Sequence, residues 1–298
     1  MFFSINVLTG FVVYDIFIKK LNKNEMRFNM YNLKILNYPD FVGAINQTNV
    51  LPGAYDTLSR WRVYSDINKS SYILQVACTT GFQSREIAYS TGCSGDAVDL
   101  SEIAIQRAIQ NQSTLLKENR INYIAQDANT FLDITDKKYS HIIFGAGLGF
   151  FPEPKKTFEK AIDHLEDGGY ILASPFYATR PIPTEIIEEA RKIFGIEITT
   201  SDYKSVMDLY INSGLEVIYE ERKTIKKENR KELELYVNAT IDRVEKELNL
   251  SDEEKKYAQE RLISIREMTN KLREYQEYAV LVLRKRKCTY PNRYVELF

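Results

Sequence analysis

Ile73-Leu74-Gln75-Val76 runs into the small-residue turn Ala77-Cys78-Thr79-Thr80-Gly81-Phe82, and Gly95-Asp96-Ala97-Val98-Asp99 follows as a second apolar run ending in a carboxylate. The pattern predicts strand, turn, helix and strand. A turn of small residues lets backbone approach a ligand. An acid 18 positions after Gly81 can accept hydrogen bonds from two ribose hydroxyls. That chemistry suits an extended ligand carrying an adenosine. The turn lacks the glycine spacing of nicotinamide and flavin sites, and no Gly-Lys-Ser/Thr follows to make a phosphate loop.

These residues must be held by alternating elements. Strands are predicted at Tyr72–Val76, 96–98, 122–125, 141–144, 170–173, 215–219 and 278–283, with helices at 84–90, 101–117, 154–165, 184–194 and 202–213. Such alternation predicts an α/β fold: a Rossmann-like, doubly wound, seven-stranded and mostly parallel sheet with an antiparallel last strand. Ligands bind such sheets at the carboxyl ends of the strands. Asp127 follows the third strand, Gly145-Ala146-Gly147 follows the fourth, and Ser174-Pro175-Phe176-Tyr177 is expected to leave the sheet.

Two further regions flank this domain (69–226 plus 277–298). Residues 1–68 form a helical, aromatic-rich lead-in or cap. Residues 227–276 read as a helical hairpin insert, a lid or a dimer arm, with apolar stripes Leu233-Val237-Ile241-Val244-Leu248 and Ala258-Leu262-Ile265-Met268-Leu272. Ser251 with Glu254 matches a capping box. Residues 1–25, with Met26 and Met30 close behind, read as a start-site extension, a packed first helix or a partner-contacting arm rather than a membrane span.

With 40 basic against 41 acidic residues the net charge is −1, which argues against a nucleic-acid or anionic-membrane partner. The basic run from Arg284 to Lys287 reads as a solvated strand end. Cysteines at 78, 93 and 288 are too few for a disulfide framework and make no zinc pattern, which fits a reducing cytoplasm. No metal site is expected. His141 opens the fourth strand away from the ligand edge and His164 ends a helix, so both read as structural.

Residues 73–82 resemble motif I of the class I S-adenosylmethionine-dependent methyltransferases. The family pattern is an acid, any residue, then three glycines at alternate positions. Gln75, Ala77, Thr79 and Gly81 stand there, so only the last glycine is kept. Ala77 and Thr79 are expected to avoid positive φ. The resemblance extends over about residues 70–225 and 277–286. It implies S-adenosylmethionine as cofactor and S-adenosylhomocysteine as product, held by Gln75, Ala77, Cys78, Thr79, Gly81, Asp99, Leu100, Asp127, Ala128, Gly145 and Ala146. In that reading Asp99 takes the ribose, Leu100 packs on the adenine, and Asp127 and the Ala128 amide meet its edge.

The resemblance implies methyl transfer by in-line displacement, a reaction that needs no fixed catalytic residue. After strand four this chain has Gly145 to Pro152 instead of the Asn/Asp-Pro-Pro-Tyr/Phe element of nucleobase and amide methyltransferases, so a small-molecule acceptor is expected. Candidate acceptor-pocket residues are Tyr55, Trp61, Phe150, Phe151, Phe176, Tyr177 and Arg180. The alternatives are a non-catalytic cofactor-binding or scaffolding subunit built on the hairpin, an RNA methyltransferase, and aminopropyl transfer.

Overall fold

The computed structural model describes residues 32–286 other than 49, 50, 117 and 119. The expectations for residues 1–25, Met26, Met30, Lys287 and Cys288 fall outside the described residues.

The strands are β1 (Tyr72–Val76), β2 (Ser94–Asp99), β3 (Ile121–Ala125), β4 (Tyr139–Gly145), β5 (Leu165–Ala173), β6 (Phe176–Ala178), β7 (Glu216–Lys223) and β8 (Gln276–Arg284). The helices are α1 (Tyr38–Ala44), α2 (Ala54–Tyr64), α3 (Phe82–Thr91), α4 (Glu102–Leu115), α5 (Ala128–Ile134), α6 (Pro154–Asp163), α7 (Thr184–Phe194), α8 (Tyr203–Ile211), α9 (Arg230–Leu248) and α10 (Asp252–Leu272). Pairing runs β3-β2-β1-β4-β5-β8-β6, with β7 also on β8. β1 to β5 are mutually parallel, and β8 is antiparallel to β5, β6 and β7.

This corrects the expectation that Ser174 to Tyr177 leaves the sheet, and raises the strand segments from seven to eight. β5 and β6 pair with the same β8: Ala173 faces Leu281 and Phe176 faces Tyr278. They are one strand interrupted at Ser174-Pro175, where proline has no N–H to give to the ladder. The Pro175 carbonyl still accepts from Ala279 N at 3.0 Å, so the chain stays in place across the break.

Strand alternation sends Leu74, Val76, Phe144, Ile171 and Leu281 to one face, against Phe131, Phe158 and Tyr210 of α5, α6 and α8. Ile73, Ala97, Ile143, Leu172 and Val280 go to the other, against Trp61, Ile87 and Ala108 of α2, α3 and α4. A sheet covered on both faces explains the nearly continuous apolar strands.

A third apolar cluster joins the lead-in to the insert. Every residue of both hairpin stripes is buried, and all but Leu233 cluster with one another and with Phe41, Ala44, Ile45, Ala190 and Phe194. Two capping boxes open the insert helices, Asn229 with Glu232 and Ser251 with Glu254. Buried Arg107 of α4 ties the parts together, bonding the Ala44 carbonyl at 3.1 Å and Glu247 of α9. The stripes that a dimer arm would offer to a second copy are thus covered within this chain. Among the described residues no helix is long and apolar enough to cross a membrane.

Candidate functional site

The turns after β1, β2 and β4 converge at the carboxyl edge of the sheet. Between β1 and α3 the chain must reverse within five residues. It does so through left-handed conformations at Ala77 (φ 54°), Thr79 (φ 47°) and Gly81 (φ 74°). The expectation that Ala77 and Thr79 avoid positive φ is therefore wrong. The backbone keeps the three-glycine path without two of the glycines, at about 1–2 kcal/mol for each L residue so held. Gly81 has no such freedom, since a Cβ there would lie 2.6 Å from the Tyr123 hydroxyl. Strain of this kind persists where surrounding structure over-determines it.

Asp99 explains part of that constraint. Its Oδ2 accepts from Thr79 N at 2.8 Å and its Oδ1 from Ser101 N at 2.9 Å, which fastens the β1 turn to the end of β2. Each oxygen keeps a second lone pair. Burial raises the Asp99 carboxyl above its ordinary value, the two amides oppose the rise, and the Asp40 charge adds to it. The Ser101 hydroxyl caps α4 through Ala104 N and donates to Asp40 at 2.6 Å, linking the lead-in to this edge.

Cys78 is buried in the turn, its N–H bonded to the Val98 carbonyl, and burial raises its thiol well above the usual range. It is a packing residue, not a nucleophile. Leu100 is 74% exposed beside Asp99, an apolar side chain standing uncovered at the edge. Asp127 caps α5: its Oδ1 accepts from Thr130 N at 2.8 Å, and Ala128 is buried as the first residue of that helix. Gly145 (φ 55°) ends β4 and half-buried Ala146 follows it, and a Cβ on the next residue, Gly147, would come 3.1 Å from the Ala77 Cβ.

Gln75, the penultimate residue of β1, is buried, its Oε1 accepting from Ser84 N at 2.9 Å. Its Nε2, the Oε1 of Gln83 and the hydroxyl of Ser174 are buried polar atoms with no hydrogen-bond partner among the described residues. Burying such a group unpaired costs about 1–3 kcal/mol, so three at one edge mark a place built for a polar ligand. With the adenosine-side groups, the residues present fit an adenosine-bearing amino acid. Gln83 and Ser174 were not among the residues singled out from sequence. The signal for Ser174 was parity, two residues after Leu172 on one strand face; that for Gln83 was its place as second residue of the helix that the turn delivers.

The acceptor-pocket expectations fare differently. Trp61 is fully buried in the α2–α3–α4 cluster, because the three-residue spacing with Leu58 turns it to the core. Tyr177 is buried and donates to Glu277 at 2.8 Å. Arg180 lies on the Tyr275 ring and pairs with Glu274 on the surface. Exposed Tyr55 meets the edge of Phe82, and Phe150 is exposed on the short 3₁₀ turn Gly147–Phe150. Phe151 is half-buried against the core. Of the set, only Phe176 lines the cavity of about 650 Å³ that opens beside Ala146. That cavity runs between α6 and α8. Its walls carry Thr199, Thr200, Ser201, Ser205, Asn212 and Ser213, with Glu159 and Asp208 against a single Lys155. Among the described residues no group of three His, Cys, Asp or Glu could hold a metal ion.

Residues 67–238 match the family described as methyltransferase domain. The chain belongs to that family. The fold is also that of several solved structures, whose likeness to this chain is one of architecture. The MccD protein is 24% identical with a TM-score of 0.64, covering 80% of this chain and 100% of its own. An S-adenosylmethionine-dependent methyltransferase of Geobacter sulfurreducens, solved with S-adenosyl-L-homocysteine, is 18% identical with a TM-score of 0.61 over 82% of this chain and 96% of its own. One from Thiobacillus denitrificans, with the same ligand, is 17% identical with a TM-score of 0.60, over 83% and 99%. An uncharacterized protein of Haemophilus influenzae is 23% identical over 178 residues, 59% of this chain and 70% of that one.

Proposed function

We propose that this methyltransferase binds S-adenosylmethionine along the carboxyl edge and transfers its methyl group, by in-line displacement, to a polar small molecule in the α6–α8 cavity. The observation that carries the reading is Asp99. A buried carboxylate fixed by two backbone amides, with lone pairs left over, is an acceptor set for a ribose diol. Leu100 supplies an apolar surface for adenine, and the Asp127 oxygen not engaged by Thr130 can accept from its amino group. The bound cofactor would supply an electrophilic methyl and a neutral leaving group.

The chain's own part is to align and to exclude water. Ala146 lines the cavity and its neighbour Gly147 lies against Ala77 of the cofactor turn, so an acceptor beside Ala146 stands next to the edge. Hydroxyl and amide groups set among Leu148, Phe158, Phe176, Ile198, Val206 and Leu209, with two acids against one lysine, favour an acceptor with an apolar body and a hydroxylated or cationic end over an anionic one. The lead-in and insert pack as one cluster, and Asp40 of α1 ties that cluster to the edge through the Ser101 hydroxyl. The buried free thiols of Cys78 and Cys93 accord with a reducing compartment.

Calorimetry with S-adenosylmethionine and S-adenosylhomocysteine tests the reading. Wild type is expected to bind both, and Asp99→Ala to weaken binding at least tenfold, about 1.4 kcal/mol. Folded wild type that binds neither overturns it.

A further inference from the structure

The lead-in, α7 and the insert meet around a second cavity, of about 330 Å³. Its walls are the start of α1, the last turn of α7 with the connector after it, and the middle of α10. It shares no lining residue with the α6–α8 cavity. Only Glu197 separates Ile196, which lines the one, from Ile198, which lines the other. Junctions between packed parts are favoured places for small-molecule sites.

The charges around this junction are unevenly matched. Arg191 of α7 and Lys255, Lys256, Arg266 and Lys271 of α10 each pair with an acid. Lys192 and Arg261 complete the bases of those two helices. Neither has an acid partner among the described residues, and both line the cavity. Glu189, one turn before Lys192, is taken by Lys271 at 2.5 Å. No acid stands among the lining residues.

Arg261 is held still without being neutralised. Its Nη1 donates to the Leu33 carbonyl at 3.0 Å and its Nη2 to the Leu36 carbonyl at 2.8 Å, and the guanidinium lies 4.2 Å from the centre of the Phe41 ring. Two of its five N–H groups are so used and three remain. Asn37, also in the wall, spends its Oδ1 on Asp40 N at 2.9 Å, which leaves its Nδ2 as a donor. The remaining surface is apolar: Pro39, Ile193, Ile196 and the edge-on rings of Tyr38 and Phe194. The carbonyl end of α7 opposes an anion by about half an elementary charge, which two full charges outweigh.

We propose that this cavity binds a small organic anion, an apolar body ending in a carboxylate or phosphate, with its head between Arg261 and Lys192. The body lies on Pro39, Ile193 and Ile196, directly behind the wall of the acceptor cavity. The site is separate from the cofactor edge.

Titrations followed by ligand-observed NMR test it with hexanoate, hexyl phosphate and uncharged hexanol, which share one body and differ in the head. Wild type is expected to bind at least one anion with a Kd of about 1 mM or tighter, and hexanol at least tenfold more weakly. Whichever anion binds tells carboxylate from phosphate. Lys192→Glu and Arg261→Gln are expected to weaken that anion at least fivefold, with S-adenosylhomocysteine affinity within twofold of wild type. Thermal melts check that each variant folds; if Arg261→Gln does not, Lys192→Glu decides alone. Neither anion binding wild type at about 10 mM overturns the site. So does hexanol binding as tightly as the anions, unchanged anion affinity in Lys192→Glu, or displacement of the anion by S-adenosylhomocysteine. Cofactor affinity is measured on the same samples, so failure here leaves the cofactor reading standing.

Discussion

Acidification should unfold this protein in part through one histidine. His141 is 3% exposed in β4, stacked on Tyr170, with Nε2 2.7 Å from the Ser65 carbonyl and Nδ1 2.9 Å from the Ser140 hydroxyl. A carbonyl only accepts, so the Nε2–H tautomer is the neutral form present. Burial lowers its pKa from 6.5 to about 4, and the Ser65 carbonyl only partly opposes that fall. A base whose folded pKa is depressed stabilises the fold above its unfolded value and loses that contribution as pH falls toward the folded one. At pH 4.5 the unfolded chain is stabilised by protonating this ring and the native state hardly at all, a net loss of about 2–3 kcal/mol. His141→Gln keeps a donor for the Ser65 carbonyl and removes the titration. Urea denaturation at pH 7.5 and 4.5 reads the difference. The buried carboxylates, Asp96 and Asp99 among them, titrate in both proteins and cancel. The wild type is expected to lose about 2–3 kcal/mol more than the variant between the two pH values. An equal loss in the variant would refute the assignment of a neutral buried imidazole.

Gly81→Ala must hold a left-handed φ of 74° and displace buried Tyr123, so a loss of about 3 kcal/mol is expected in urea denaturation; a loss under about 0.5 kcal/mol would show that the turn yields freely. Ile241→Ala removes a fully buried side chain from the insert and should cost about 3 kcal/mol in the same assay. An unchanged transition there would mean that the insert is not part of the cooperative fold.

Much of this architecture could be read locally. The order of strands and helices follows from runs of period 2 and 3.6. The Ser101 cap and the Ser251–Glu254 box follow from side chains that bond their own backbone three residues on. Asp99 and the turn before α3 were legible because a strand end, a small-residue turn and an acid lie within 27 residues. Those features are short-range, and short-range physics suffices for them.

What the sequence alone left open depends on partners distant along the chain. The positive φ at Ala77 and Thr79 is imposed by Asp99 and by the need to enter α3 at once; neither residue type advertises it. Trp61 and Tyr177 looked like pocket residues because aromatic side chains serve cores and clefts equally, and only packing against the sheet shows which. The hairpin stripes announced that they would be buried, but α1 and α7, up to about 200 residues away, decided by what. The unpartnered polar atoms of Gln75, Gln83 and Ser174 come to one edge only once strand order places β4 between β1 and β5, because alternation sets the face within a strand and pairing alone sets its neighbours.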